Sequence, residues 1–567
     1  MKWFNRLFFL VFVAWIAVTL TALAAMYHLW WTRERAQYVG KTSAEQREVV
    51  FHVAGLPGPM LQGVSEILRQ WPEDVRYRAE GDFNRLSYVK YLLIPRMPDG
   101  NAEYALRNDG DHIVYQPGNS GTTTEAHAAE EYPAKIRGFL LSLLSLTGLA
   151  ALLRRLSRSC ALTLPEGYAG AAFVLMIVVV LSRAWCGSAR YGFGLAVVAG
   201  LVGLVLSLPG WWRQRTWQPS WPQWSNGEWL LWLAFGLVLT GTVVWSAIMA
   251  VVVVPDDWDA WAMWGAKAKT LALGSGPLRD VALFGHGDYP LVWPAVWAFS
   301  GWLAGGWEEH WSRAWGAVFL LLTVWQMGLV VWRSTGSPPL GLLAAALFLS
   351  MPKIPLLASW SYAEAPFWLM LACGFGNILQ WRRQQQAAYL AKAALFCAVA
   401  AYTKNEGLLF SVLCLLWVFL ECPGQWRQTV RQFVVPLLLL LLPWNIWVRL
   451  TLHLDSRHFD GFGAGFSLLT QAVTRLPDTL RAIGQLWLDV RQWNIALPCV
   501  VLASVWSMYQ SRDLRRSLLV PWGTLLVYLG ITLSYTEYLW LVGTAWDRLT
   551  AQVLVLLTMI VCVGVKD

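Results

Sequence analysis

The sequence predicts an all-α polytopic transmembrane protein of about fourteen spans, with a small α/β extracytoplasmic domain inserted after the first span. Hydrophobic residues make up 56% of the 567 residues and charged residues 14%, with a mean hydropathy of +0.44. This composition leaves too few polar groups to cover a soluble globule. The apolar residues also fall into runs of membrane-spanning length, so we expect the chain to use lipid as its solvent.

The charged, aromatic and sulfur-containing residues narrow the class of protein and the kinds of site that the sequence predicts. The formal charge of +9 is spread in small groups between apolar runs, as orientation signals are, and does not predict a nucleic-acid partner. Many of the 38 tryptophans lie where apolar runs meet polar loops, which is typical of anchors at the lipid headgroups. The eight cysteines form no CxxC motif and no Cys/His pair, so neither a zinc site nor a disulfide framework is implied.

Residues 1–30 are predicted to form an N-terminal transmembrane anchor. The apolar run Leu7 to Ala25 follows the basic segment MKWFNR, so a cleaved signal peptide is the alternative, with Ala22-Leu23-Ala24 as its cleavage site. The run is long enough to span and continues as MYHLWW, which favours the uncleaved anchor.

Residues 31–136 are the only sizeable polar block and are predicted to form the small α/β domain. A helix-like segment runs from Met60 to Gln70, and strand-like runs cover Tyr88 to Ile94 and His112 to Gln116. Pro98-Asp99-Gly100 is a turn signal. The block contains no metal-ligand cluster, phosphate loop or nucleophile motif, which indicates a binding or packing role.

The rest of the chain divides into additional transmembrane helices in 137–226 and a module in 227–567 with a large loop at 255–310. A helical span needs roughly 17–25 apolar residues. The candidate spans are 7–30, 137–154, 164–184, 190–209, 227–254, 311–332, 338–355, 365–381, 388–403, 406–421, 433–451, 492–510, 517–536 and 549–565.

Basic residues predict the orientation of these spans in an inner (plasma) membrane. Alternate loops are enriched in arginine, from Arg154 and Arg155 to Arg515 and Arg516, and such loops face the cytoplasm. The periplasmic or extracellular side then holds 31–136, 255–310, 452–491, 537–548 and the short turns near 356–364 and 404–406. The apolar stretch 289–305 is short and punctuated by Pro and Gly, so we expect it to dip into the membrane or to lie on its surface.

The loop 255–310 begins with three carboxylates, Asp256, Asp257 and Asp259. Crowded like charges near a low dielectric raise one another's pKa, and such clusters bind a cation or act as acid or base. A divalent cation (Mg²⁺ or Mn²⁺) held by the three is therefore one interpretation, and a general base is another. Helix capping after Pro255 is the structural alternative for Asp256 and Asp257, whereas Asp259 is predicted to lie inside the helix.

The helix that follows is predicted to lie along the membrane interface. Trp261, Trp264 and Ala268 recur at helical spacing, which would turn the tryptophans toward lipid. Lys267 and Lys269 would then meet anionic headgroups, or simply snorkel.

Further polar residues fall on the same predicted side. In the segment HGDYP, His286, Asp288 and Tyr289 offer groups suited to a phosphate or a metal, although a single histidine is more often an ordinary loop residue. Lys404 and Glu406 separate two apolar runs with hardly any loop between them. Charges placed there favour a functional role, with an ion pair between these two side chains as the alternative.

Two more candidates come from the remaining turns. Tyr362 and Glu364 sit between the runs 338–355 and 365–381. Arg548 is predicted to begin the last span, where a helix N-terminus disfavours a cation, so an anionic partner is expected.

These elements resemble the GT-C-fold glycosyltransferases, polytopic enzymes that use polyprenyl-phosphate sugars. They include the dolichyl-phosphate-mannose protein mannosyltransferases and the lipid A aminoarabinose transferases. The resemblance covers roughly 227–567 and is carried by the acidic loop, the helix WDAWAMWGAKAK, the segment HGDYPLVWP and the later TKNEG and WDR elements. It implies a GT-C-like core and an inverting transfer of a sugar to a hydroxyl of a glycan, lipid or protein acceptor.

The resemblance also assigns roles. The family's acidic base falls best on Asp259, with Asp257 as the second choice, because this chain has WDAW where many members have an acidic pair. Donor phosphate contacts would come from the HGDYP residues His286, Asp288 and Tyr289, and from Lys404 and Arg548. The four spans and the domain ahead of the module are absent in this form from the better-known members.

Two other functions remain open from the sequence. A transporter or lipid flippase would use Lys404, Glu406 and Arg548 to line a path, but we find no internal repeat. A membrane scaffold presenting 31–136 would leave the aspartate cluster and the KNEG segment unexplained.

Overall fold

A computed structural model describes most of the chain. The described residues are 2–29, 31–32, 58–71, 75–80, 83–94, 96–98, 102, 104–109, 112–116, 132–157, 161–213, 228–253, 257–421, 424, 426–454, 466–510 and 512–565. Asp256 and the turn signal Pro98-Asp99-Gly100, apart from Pro98, lie outside them.

The protein is a predominantly helical, multi-pass membrane protein. Within the described ranges, eight helices are long and apolar enough to cross a membrane, and a ninth span is formed if one bent helix pair is counted. These eight fall on the predicted spans that begin at 137, 164, 190, 227, 311, 433, 517 and 549. The bent pair, Pro338–Leu349 and Lys353–Ser359, has an angle of 71° at its break and covers the predicted span 338–355.

The helices are numbered in chain order. The first seven are α1 (Lys2–Leu29), α2 (Gly58–Gln70), α3 (Phe83–Leu93), α4 (Tyr132–Leu156), α5 (Leu164–Cys186), α6 (Arg190–Arg213) and α7 (Glu228–Val252). The next eight are α8 (Ala266–Leu273), α9 (Val292–Leu303), α10 (Trp315–Thr335), α11 (Pro338–Leu349), α12 (Lys353–Ser359), α13 (Glu364–Gln384), α14 (Ala387–Ala401) and α15 (Glu406–Glu421). The last eight are α16 (Trp426–Thr429), α17 (Val435–Ile446), α18 (Phe466–Trp487), α19 (Val490–Trp493), α20 (Ala496–Gln510), α21 (Arg512–Ser517), α22 (Leu519–Ser534) and α23 (Tyr538–Gly564).

Short helices of other pitch join some of these elements. The π-helical segment Asp259–Gly265 leads directly into α8, and Val430–Val434 and Trp447–Thr451 flank α17 in the same way. The 3₁₀ turns Leu278–Leu283 and Trp311–Ala314 precede α9 and α10.

The described residues of 58–116, called the sheet unit below, contain the strands of the structure. The strands are β1 (Arg76–Glu80), β2 (Met97–Pro98), β3 (Tyr104–Asp109) and β4 (His112–Gln116). Their order is β2-β1-β3-β4, parallel except for the β3–β4 pair. Trp71 and Tyr77 are fully buried between the sheet and α2.

The prediction of a strand over Tyr88 to Ile94 is wrong, because these residues lie mainly in helix α3. The run is short, and a short apolar run does not distinguish a strand from a buried helix by its pattern. The predicted helix at Met60 to Gln70 and strand at His112 to Gln116 agree with α2 and β4.

Helix α9 accounts for the apolar stretch 289–305. Its twelve residues reach about 18 Å at 1.5 Å per residue, which is too short to cross a bilayer. Trp293, Trp297 and Phe299 are fully buried, and the helix packs against α4 and α5. The helix is therefore covered by protein, and it belongs to the same loop as the acidic residues.

Candidate functional site

Five segments that are distant in the sequence meet at one end of the helical bundle. They are the segment 257–265 before α8, the HGDYP turn before α9, the two connections that begin α13 and α15, and the middle of α23. Together they place ten polar side chains in contact or in electrostatic interaction, a set called the polar cluster below: Asp257, Asp259, Asp288, Tyr289, Tyr362, Glu364, Lys404, Asn405, Glu406 and Arg548.

The centre of the polar cluster is an ion pair between Asp259 and Arg548. The Arg548 guanidinium donates through Nη1 to Asp259 Oδ2. The Arg548 side chain is 19% exposed and the Asp259 side chain 21%, so solutes can reach them. The same guanidinium lies 5.0 Å from the centre of the Tyr362 ring, a cation–π contact. The Tyr362 hydroxyl donates in turn to Asp257. Both candidate bases are thus oriented by partners on other elements.

Asp257 does not cap the helix that follows it. Its carboxylate accepts from the Tyr362 hydroxyl, and the Asp259–Gly265 helix has no side-chain hydrogen bond at its N-cap. Burial raises the pKa of Tyr362 well above its ordinary value, and Asp257 adds to this effect against the opposing charge of Arg548. Tyr362 therefore stays protonated and acts as a hydrogen-bond donor.

The prediction that Arg548 begins the last span is wrong. Helix α23 begins at Tyr538, so Arg548 lies well inside the helix and not at its N-terminus. The expected anionic partner exists, however, and is Asp259. The preceding residue, Asp547, forms a second ion pair with Lys353 on α12, at 2.6 Å. Two adjacent residues of α23 are thereby tied to two different segments.

Lys404 is buried between two carboxylates. Its ammonium lies 2.8 Å from Glu364 and 3.1 Å from Glu406, and it is 5% exposed. Burial alone would lower the pKa of Lys404, but Glu364 and Glu406 raise it above its ordinary value. The ion pair with Glu406, the structural alternative for this motif, is therefore present, and Glu364 adds a second partner. Because its charge is already balanced, Lys404 is poorly suited to bind a phosphate directly.

Glycine makes this tight connection feasible. A Cβ atom at Gly407 would lie 2.3 Å from backbone atoms of Ala400 and Ala401, so the start of α15 can approach the end of α14 only without a side chain.

The HGDYP turn presents Asp288 and Tyr289 to the polar cluster. His286 adopts a positive φ of 51°, uncommon for a residue other than glycine, and the Tyr289 amide donates to the His286 carbonyl at 2.9 Å. Asp288 accepts from the Asn405 amide at 2.6 Å. Burial and the neighbouring carboxylates raise the pKa of Tyr289 well above its ordinary value. The turn therefore holds one acceptor and one donor in fixed positions.

The predicted interfacial helix is instead buried in protein. Trp261 and Trp264 are 4% and 1% exposed, and Lys267 is fully buried. The Lys267 ammonium donates to the carbonyl groups of His286 and Tyr289, at 2.5 and 3.0 Å. The prediction of lipid contacts for these residues is wrong, since a periodic apolar face does not reveal whether lipid or protein covers it. Lys267 holds the HGDYP turn and does not meet a headgroup.

The burial of Lys267 predicts a pH dependence of stability. Burial lowers its pKa from the ordinary 10.5 to about 7, with Asp288 opposing the shift. Between these two values the unfolded chain binds a proton that the folded protein lacks, so stability rises with pH across this window. We expect the thermal midpoint of the wild type to gain on that of a Lys267→Met variant as the pH is raised from 7 to about 9.5. Parallel midpoint curves for the two proteins would contradict the prediction.

The two described carboxylates of the predicted trio each have a hydrogen-bond donor in the structure, and the divalent cation stays a prediction. Asp259 Oδ2 accepts from the Arg548 guanidinium, and Asp257 accepts from the Tyr362 hydroxyl. In the described part of the chain, no group of three or more His, Cys, Asp or Glu side chains could hold a metal ion.

Three residues that contribute to the site were not predicted from the sequence. Asn405 fixes Asp288, and Lys353 fixes Asp547. Arg313 donates to the carbonyl groups of Val253 and Ser359 and to the Ser361 hydroxyl, and thereby holds the connection that carries Tyr362. Asn405 lies within the KNEG motif and could have been included. Lys353 lies in an apolar stretch, and Arg313 follows the polar segment EEHWS, which matches no recognised motif.

Comparisons with protein-family models, with curated proteins and with solved structures gave no match.

Proposed function

We propose that the protein is a membrane glycosyltransferase that moves a sugar from a polyprenyl-phosphate donor to an acceptor hydroxyl, with inversion at the anomeric carbon. The observation that carries the proposal is the partly exposed Asp259–Arg548 pair, set among further carboxylates and tyrosines at one end of an apolar helical bundle. A base next to a cation is the combination that this transfer requires, because one group must accept a proton while the other receives an anionic leaving group.

Asp259 is the proposed general base. Its carboxylate would accept the proton of the acceptor hydroxyl while that oxygen attacks the anomeric carbon, and the bond from that carbon to the phosphate oxygen breaks. Asp257 is the second candidate. Its carboxylate accepts from Tyr362, whereas Asp259 lies beside the cation that would receive the leaving phosphate. The π-helical winding at Asp259 supports the assignment, since such segments are frequent at functional sites.

Arg548 is the proposed phosphate contact. A guanidinium has five N–H donors, and among the described residues Asp259 is the hydrogen-bond acceptor of its side chain. The remaining donors suit the departing polyprenyl phosphate, whose charge grows as the sugar leaves. Lys404 contributes indirectly, because it pairs with Glu406 and holds Glu364 beside Arg548.

The acidic groups around this pair suit a sugar. Carboxylates accept hydrogen bonds from hydroxyl groups, and Asp257, which lies near this pair, is partly exposed. The proposal includes an inner-membrane location with about fourteen spans, a site on the periplasmic or extracellular face, and an α/β domain on that face.

A donor panel tests the proposal. Purified protein is incubated with synthetic polyprenyl-phosphate sugars carrying a labelled sugar, together with membrane extract as the source of acceptors. We expect label to move from at least one donor to an acceptor, and the Asp259→Asn protein to fail with the same donor. Donor binding without transfer in either protein would favour the transporter or flippase alternative, in which Lys404, Glu406 and Arg548 line a path.

A further inference from the structure

The sheet unit is attached to the loop that carries the site through a buried charge. Arg76 on β1 donates through Nη2 to both oxygens of Asp280, at 3.1 and 3.0 Å. Asp280 is fully buried and belongs to the 3₁₀ turn Leu278–Leu283, which leads into the HGDYP turn. A buried carboxylate needs a hydrogen-bonded or charged partner, so the contact from Arg76 fixes the position at which the HGDYP turn starts.

A second attachment involves Tyr91 at the end of α3. Its hydroxyl donates to Glu309 at 2.5 Å, and the Trp307 indole donates to the same carboxylate oxygen at 3.0 Å. The Tyr91 carbonyl accepts from the Lys269 ammonium at 3.0 Å, and that ammonium lies 4.7 Å from the Tyr91 ring centre. Helix α3 also packs against the segment Asp259–Gly265, which carries the proposed base.

Helix α8 joins these contacts to the polar cluster. Lys267 and Lys269 are two positions apart, and such residues point to different sides of a helix. Lys267 binds the carbonyl groups of the HGDYP turn, while Lys269 binds the sheet unit. Both lysines are buried, so neither can leave its acceptors without a cost in free energy.

We propose that the sheet unit is a positioning element for the site. Through Arg76 and Tyr91 it holds the Asp259 segment and the HGDYP turn at the separation that the transfer requires. The proposal rests on the proposed function for its catalytic consequence, whereas the effect on the turn is a property of the fold. Arg76 is the positioning residue whose loss tests it best, because Arg183 also interacts with Asp280 and the carboxylate is not left without a cation.

The experiment uses the full-length protein in lipid nanodiscs and three variants. Arg76→Met removes the contact, and Arg76→Lys keeps a cation there. Arg69→Met is the matched control, since Arg69 is an exposed arginine of the same unit. Amide hydrogen exchange is measured over 257–265 and 278–291, with α10 as the internal reference, and kcat and KM are measured with the donor that the wild type uses.

We expect Arg76→Met to speed exchange in these two segments about tenfold, the effect of losing one hydrogen-bonded charge contact. We expect kcat to fall by a similar factor with little change in the KM for the donor. Arg76→Lys should recover most of both losses, and Arg69→Met should match the wild type.

Unchanged exchange in Arg76→Met would overturn the proposal, and so would faster exchange with an unchanged kcat. An equal effect of Arg69→Met would also overturn it, because the contact to Asp280 would then not be the cause. A wild type that transfers no sugar would refute the proposed function alone. The exchange data would still decide whether the sheet unit holds the turn.

Discussion

We expect the Asp259→Asn protein to transfer sugar at less than about one hundredth of the wild-type rate, because general-base help is typically worth about 10²–10⁴ in rate. Asparagine preserves the shape of the side chain but cannot accept the hydroxyl proton. The substitution also removes the carboxylate that neutralises Arg548, so the KM for an anionic donor should not rise. Initial rates over a range of donor concentrations separate these two effects.

Two further variants serve as controls for this result. Asp478→Asn changes an exposed aspartate on α18, distant in sequence from every member of the polar cluster, and should leave the rate unchanged. Asp257→Asn should lose less activity than Asp259→Asn, because Asp259 is the proposed base and Asp257 bonds the Tyr362 hydroxyl instead of Arg548. The opposite order, with Asp257→Asn inactive and Asp259→Asn active, would move the role of base to Asp257.

The second large effect is expected for Lys404→Met. Lys404 lies between Glu364 and Glu406, and its removal leaves the buried Glu364 carboxylate and the partly buried Glu406 carboxylate without their ammonium partner. Breaking a buried ion pair in this way costs about 3–5 kcal/mol, so the thermal midpoint should fall markedly and transfer should be lost. Thermal unfolding of the purified protein, followed by tryptophan fluorescence, measures the first effect.

If Lys404 stabilises the protein by balancing the charges of Glu364 and Glu406, then removing one of these charges should offset its loss. Adding Glu364→Gln to Lys404→Met should restore a large part of the lost stability, since it removes one of the two stranded charges. Arg383→Met, which removes an exposed cation at the far end of α13, should leave the midpoint unchanged. A double variant no more stable than Lys404→Met would show that lost charge pairing is not the cause.

The sequence predicted the helical, polytopic class from its composition and its apolar runs, because both signals are local. It also drew attention to the segments that carry Asp259, Asp288, Lys404 and Arg548. It could not predict how these segments pair, since the bonds from Arg548 to Asp259 and from Asn405 to Asp288 depend on how helices pack across the bundle.

The errors have a common physical origin. Trp261 and Trp264 follow an amphipathic pattern, but protein and lipid are equally apolar neighbours for such a face, and the structure buries both rings in protein. Arg548 was expected at a helix N-terminus because the apolar run starts after it, whereas α23 begins at Tyr538. A mixed segment can extend a helix well beyond its apolar part when other elements cover its polar residues.

Inverting sugar transfer is tested most directly in proteoliposomes that contain the purified protein and a polyprenyl-phosphate donor with a labelled sugar. Both fates of the label are followed, its transfer to an acceptor hydroxyl and the movement of intact donor between the leaflets. We expect label to appear on the acceptor with the anomeric configuration opposite to that of the donor. Label that stays on the polyprenyl phosphate while the donor equilibrates between leaflets would contradict this expectation.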